Sequence, residues 1–124
     1  MTTKKITPLP KLLKKAQEVF NRWIRERDKD NGCISCGGKV EQAGHYFSQG
    51  HHSALRYDEM NTHGQCIRCN MHLSGNLIKY RQGLVERYGE DYVKNLEAKE
   101  AKIIGPFKWH RIELDQIIKK YKLS

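Results

Sequence analysis

Apolar residues recur every three or four positions between Lys11 and Asp28, where Leu12, Leu13, Ala16, Phe20, Trp23 and Ile24 share one stripe among lysines, arginines and glutamates. That period predicts an amphipathic helix over 11–28. Pro8 and Pro10 precede it, where a missing N–H is tolerated, and Asp28-Lys29-Asp30-Asn31-Gly32 stops it. From Cys33 to about Gln65 no helical period survives. Lys39 to Phe47 reads as a strand, a loop rich in Ser, Gly and His follows, and Leu55 to Tyr57 reads as a second short extended piece. A short helix is expected near Cys66, interrupted by Ser74-Gly75-Asn76. Asn76 then serves as N-cap of a helix through Tyr88. Gly89 ends that helix, Glu90 to Ala101 forms the next, Gly105-Pro106 breaks it, and Arg111 to Lys122 makes the last. The final helix turns Leu114, Ile117, Ile118 and Tyr121 toward the core, and Trp23 and Trp109 are expected there too.

At 124 residues this is one domain's worth of chain, 1–124, without a linker long enough to divide it. Only 38% of residues are hydrophobic and mean hydropathy is −0.78, so the core is small, and reinforcement by a metal or a partner subunit is expected. No apolar run suffices for a membrane span, and the basic stretch Met1–Lys15 lacks the apolar segment of a signal peptide, so neither secretion nor membrane insertion is expected. Twenty-three Lys and Arg against 14 Asp and Glu give a net charge of +9. The positive residues are spread along the chain, which points to a folded basic surface for a polyanion, either nucleic acid or an anionic membrane face.

The four cysteines form two C-x-x-C pairs, Cys33-Ile34-Ser35-Cys36 and Cys66-Ile67-Arg68-Cys69. Two thiols three apart on a tight turn grip one face of a tetrahedral zinc, and a second pair closes the shell. Gly32, Gly37 and Gly38 supply backbone freedom at the first pair. Disulfides would need an oxidising compartment, and a thioredoxin-like redox pair would need a βαβ pattern that is absent. The expected zinc site is structural and closed.

Between and after the pairs stand His45, His51, His52, Asn61, His63, Asn70 and His72, including five of the chain's six histidines. A strand ending in His45, a loop, a return carrying Asn61 and a helix starting at Cys69-Asn70 is the layout of a ββα-metal nuclease finger. A neutral imidazole takes a proton from water attacking a phosphodiester. A hard divalent ion with oxygen ligands polarises the phosphate and stabilises the leaving oxygen.

Gly44-His45-Tyr46, Leu55-Arg56-Tyr57, Asn61-Thr62-His63, Cys66-Ile67-Arg68-Cys69-Asn70 and Ser74-Gly75-Asn76-Leu77 resemble the NinG/Rap family of phage recombination endonucleases, as does Arg25-Glu26-Arg27-Asp28 in the preceding helix. The likeness spans roughly residues 12 to 97. More widely the chain resembles HNH endonucleases, including the phage resolvase endonuclease VII. The resemblance implies cleavage of branched DNA, such as Holliday junctions and D-loops, in the cytoplasm of a bacterial host by a phage- or prophage-encoded enzyme. It implies His45 as general base, Asn61 as the brace of the loop bearing that base, and Asn70 as a ligand of a catalytic Mg²⁺ or Mn²⁺. Cys33, Cys36, Cys66 and Cys69 match the zinc ligands.

The pattern departs from HNH enzymes at Gly44, where an Asp or His usually supplies a second metal ligand, and at Ser74, where some carry a further histidine. His72 and His63 are the first candidates to complete the shell, followed by Asn76, Glu41, His51 and His52. Arg56, Arg68, Lys79 and Arg81 are candidates for phosphate contacts. The expected architecture is an α-rich α+β domain, with a zinc-stapled finger over 33–75 wrapped by the helix at 11–28 and the helices of 76–124. The expected function is a metal-dependent endonuclease that acts on branched DNA, without organic cofactor or membrane partner, and a two-fold homodimer would place two cuts on opposite strands. Two other readings are a zinc-finger nucleic-acid-binding module that has lost catalysis, and an HNH nuclease that nicks ordinary duplex.

Overall fold

The computed structural model describes residues 6–123, so residues 1–5 of the basic N-terminal stretch and Ser124 lie outside the described part. Among the described residues the elements run α1 (Leu9–Asp28), β1 (Gln42–His45), β2 (Thr62–Gln65), α2 (Leu77–Tyr88), α3 (Glu90–Ala101) and α4 (Arg111–Tyr121). A single 3₁₀ turn at Ser53–Leu55 and a wide helical turn at Arg68–His72 lie in the connections. The architecture is α+β and mostly helical, as expected. None of these helices is long and apolar enough to cross a membrane.

α1 starts two residues earlier than its apolar stripe suggests. Pro8 stands at its N-cap and Pro10 in its first turn, where backbone N–H groups have no partner within the helix. Leu12, Ala16, Phe20 and Ile24 are buried against Leu114 and Tyr121 of α4 and against Tyr57. Aromatic edges fill this first cluster: Tyr57 and Tyr121 meet the Phe20 ring at 5.9 and 4.8 Å. Trp23 and Trp109 both pack on its margin.

A second apolar cluster joins Ile34, inside the first C-x-x-C, to Tyr80 and Leu84 of α2 and to Val93 and Leu96 of α3. α2 crosses the cysteine turn at Gly83, where a Cβ would sit 1.9 Å from the Ile34 carbonyl oxygen. Only glycine permits this backbone-on-backbone approach.

The two strands form an antiparallel ribbon between these clusters, pairing Gln42 with Gln65, Ala43 with Gly64, Gly44 with His63 and His45 with Thr62. Asp28, at the end of α1, accepts the Gly64 N–H at 2.8 Å and a two-pronged contact from Arg27, and Arg27 also donates to the Thr62 carbonyl at 2.8 Å. Burial pushes the Asp28 carboxyl up, but the Arg27 and Gly64 hydrogen bonds outweigh it and hold the group below its ordinary value.

The ribbon differs from its sequence expectation in two ways. Leu55–Tyr57 is not extended: the N–H groups of Leu55, Arg56 and Asp58 bond three residues back, to His52, Ser53 and Leu55. Leu55 and Tyr57 are apolar because a turn buries them, not because a strand does. The returning strand is Thr62-His63-Gly64-Gln65, four buried residues with no aliphatic side chain. Its pairing satisfies the backbone without the hydrophobic alternation by which strands are recognised.

Candidate metal centre and cleft

The sulfur atoms of Cys33, Cys36, Cys66 and Cys69 all lie within 4.8 Å of one another. A tetrahedral zinc with bonds of about 2.3 Å needs sulfurs about 3.8 Å apart, so the four fit such an ion. Cys36 and Cys66 approach to 3.6 Å, far beyond a disulfide bond. Donors are already aimed at the sulfurs: Gly38 N–H to Cys36 at 3.4 Å, Cys69 N–H to Cys66 at 3.4 Å, and the Asn76 amide to Cys69 at 3.5 Å. Such donors favour thiolates, and only a bound cation lets four thiolates share so small a space. Asn76 does stand at the start of α2, but in the left-handed conformation (φ 46°) and with no side-chain capping bond. Its side chain serves the sulfur instead.

A cleft of about 400 Å³ opens beside β1, and His45 and Asn70 share its lining with Asn21, Gln49 and Gly75. β1 ends at His45 and its ring turns to the Arg56 carbonyl, 2.8 Å from Nε2. A carbonyl only accepts, so Nε2 carries the proton and Nδ1 is left as the basic nitrogen. Burial, with a smaller contribution from the Arg56 charge, holds the imidazole below its ordinary pKa, so it is neutral near pH 7. Asn61 is fully buried; its oxygen accepts the Phe47 N–H at 2.8 Å, and its amide donates to the carbonyls of Phe47 and Leu55 at 3.0 and 3.2 Å. The side chain thus ties together both ends of the loop that follows His45. Asn70 donates its amide to Gln42 Oε1 at 2.8 Å, which turns its own oxygen toward Gly44.

The other candidates do not converge there. His63 is buried between two phenols, with Nδ1 at 3.3 Å from the Tyr80 hydroxyl and Nε2 at 3.3 Å from that of Tyr92. Burial pushes its pKa down to about 3, so it is a neutral core histidine rather than part of the cleft lining. His72 is exposed at the end of the wide turn. His51 is exposed, and His52 reaches Glu100 at 3.4 Å. Glu41 accepts the Ile67 N–H at 3.3 Å. Among the basic candidates, Arg56 is drawn to Gln17 at 3.0 Å and lies over the Tyr57 ring. Arg81 is paired with Glu90 and Glu97 at 3.2 and 3.1 Å. Arg68 and Lys79 are exposed, Lys79 beside the Cys33–Cys36 turn.

Three residues near the cleft carried no sequence signal. Tyr80 donates its hydroxyl to the Gly44 carbonyl at 2.8 Å, fixing the strand from the side of α2. Gln42 orients Asn70. Gln65, just ahead of the second C-x-x-C, is fully buried against Gly44.

A mostly helical α+β protein with a four-cysteine cluster fit for a metal ion and a polar cleft at the ribbon edge is the class these features define. The family profile of the bacteriophage lambda NinG protein matches residues 1–124. The chain is 46% identical over 89 residues to protein ninG of Escherichia phage 933W, 47% to that of Salmonella phage P22 and 45% to that of Escherichia phage lambda. Each match covers 69% of this chain and 44% of the relative, so the chain spans less than half the length of these curated phage proteins. The chain belongs to the NinG family. No solved structure matches it.

Proposed function

We propose that the chain is a metal-dependent DNA endonuclease with an HNH-like centre, acting on branched recombination intermediates inside the bacterial host. The observation that carries this reading is His45: a neutral imidazole, fixed through Nε2 and lining the same cleft as Asn70. Its Nδ1 takes the proton from the attacking water, and the Asn61 brace keeps the loop behind it in place. The four cysteines hold a structural Zn²⁺, which fits their separation and their N–H donors. Asn70 offers an oxygen to a Mg²⁺ or Mn²⁺, which when bound would polarise the scissile phosphate. The charge of +9 supplies sequence-independent affinity for phosphate, with strong salt dependence. Arg68 and Lys79 are freer to serve it than Arg81, whose guanidinium is held by two carboxylates. Opposed cuts on a junction call for a second copy, so a dimer is part of the proposal, checked by solution mass with and without junction DNA.

The test is cleavage of a labelled four-way junction and of matched linear duplex in Mg²⁺, Mn²⁺ or EDTA. Metal-dependent cutting of the junction is expected, with a loss of about 10²-fold or more in His45→Ala. Cutting confined to linear duplex would make it a duplex-nicking HNH enzyme. The absent side chain at Gly44 favours a second reading, a binding module without catalysis. Tight binding without cutting in every metal, unchanged by His45→Ala, would establish it.

A further inference from the structure

We infer that Asn21 of α1 grips the DNA backbone in the cleft, donating its side-chain amide to a phosphate oxygen. The inference rests on the nuclease reading for the identity of the occupant, and on geometry for its content. Asn21 shares the cleft lining with His45, although it comes from the helix that precedes the finger. It is half-buried, and a chain of donors and acceptors starting at Arg56 decides which end of its amide is committed to the fold. A guanidinium only donates, so the Gln17 atom 3.0 Å from Arg56 Nε is the oxygen, Oε1. The other end of Gln17 is therefore its nitrogen, and Nε2 donates to the Arg56 carbonyl at 3.2 Å and to Asn21 at 2.8 Å. Asn21 must accept there, so its Oδ1 is turned to Gln17, one helical turn earlier.

With the oxygen committed, the nitrogen is what Asn21 has left to offer. Nδ2 carries two N–H groups and has no hydrogen-bond partner among the described residues. Gln17 is buried, which holds this arrangement in place. The Arg56 carbonyl that accepts from Gln17 also accepts from His45 Nε2 at 2.8 Å. One carbonyl thus sets the imidazole and, through Gln17, the Asn21 amide, so the two side chains keep a fixed relation across the cleft. The other polar side chains of the lining are Ser48, Gln49, Asn70 and Ser74, with no carboxylate to repel an anion. Neutral amides and hydroxyls of this kind are regular partners of DNA phosphates. The net charge of +9 brings the polyanion to the surface, and the cleft then supplies donors rather than charge.

Affinity for an uncut four-way junction, measured at fixed salt on the zinc-loaded protein without added Mg²⁺ or Mn²⁺, tests this apart from turnover. Asn21→Ala should weaken binding about tenfold. Asn21→Asp still accepts from Gln17 but sets a carboxylate oxygen where the amide donated, and should weaken it about 10²-fold. Asn95→Asp, the same charge change at an exposed position of α3, should stay within about threefold of wild type. Circular dichroism and zinc content identify folded variants. A methylphosphonate at the position where wild type cuts removes the phosphate charge and one acceptor oxygen, and the Asn21→Ala penalty should shrink there to about twofold or less. If wild type cuts the junction while both folded Asn21 variants bind like wild type, the Asn21 inference is overturned and the nuclease reading stands. A penalty unchanged by the methylphosphonate also overturns it. If wild type cuts no DNA but the Asn21 variants lose affinity as expected, the phosphate contact stands and the nuclease reading falls.

Discussion

The two apolar clusters flank the same ribbon but are built differently. The α1–α4 cluster is assembled from side chains alone: Phe20, Ile24, Leu114 and the rings around them interlock between two helices. The α2–α3 cluster is anchored on Ile34, which lies between two thiols of the four-cysteine group, and α2 touches that turn through bare backbone at Gly83. The first cluster therefore draws its stability from burial, whereas the second would draw part of its own from a cation held by the four clustered cysteines. The contrast shows how a chain with few hydrophobic residues holds two cores.

The strongest attempt to break this contrast is to remove the metal. Structural zinc supplies on the order of 10 kcal/mol in small zinc domains, so EDTA or Cys33→Ser is expected to strip amide-exchange protection from Leu84, Val93 and Leu96 and to leave α1 and α4 protected. Equal loss in both halves would show one cooperative unit. Next come paired truncations. Leu114→Ala and Leu84→Ala should each cost ~2–5 kcal/mol in the metal-loaded protein. After chelation only the Leu114→Ala penalty should persist in thermal melts.

A third measurement uses His63, whose pKa falls from about 6.5 in the unfolded chain to about 3 in the folded one. The unfolded chain takes the proton first, so the contribution of His63 is complete above pH 6.5. It then declines by up to about 1.4 kcal/mol per pH unit as pH falls toward 3. Urea unfolding of wild type and His63→Gln at pH 7.5, 6 and 5 should therefore converge as the solution is acidified, and parallel curves would rule out the titration. The smallest effect belongs to Tyr80→Phe, which deprives the Gly44 carbonyl and the His63 ring of their shared partner at a cost of about 1–3 kcal/mol. A change below about 0.5 kcal/mol, within the range of an ordinary surface substitution, would mean that water replaces the hydroxyl.

The contrast also governs what could be read from the chain. The four helices were legible because each buries a stripe at helical spacing, and α1 and α4 lie within two residues of their expected bounds. The convergence of the four cysteines was legible through their spacing. The ribbon was not, because Thr62–Gln65 is a buried strand of polar residues and Leu55–Tyr57 hides its apolar residues in turns. At the cleft, sequence reasoning could name His45 and Asn70 as a pair, and the fold sets both in one lining. It offered His63 as a ligand because this histidine lies near the finger helix in sequence, although only tertiary packing decides that Tyr80 and Tyr92 enclose it. Gln65 gave no sign, since a glutamine carries no pattern until its neighbours fix where each end points.

The fit of Gln65 over Gly44 also constrains how this protein can change. Any side chain at position 44 would collide with the Gln65 amide, whose carbon lies 2.6 Å and whose oxygen lies 1.7 Å from the new Cβ. Because Gln65 is pinned to Ser35 and Gly75, it has no cheap retreat. The two positions therefore behave as a single inherited character. A lineage that exchanges glycine for an acidic residue at 44 must shorten residue 65 in the same stroke or before it, so the order in which the two mutations arrive decides whether the path is open.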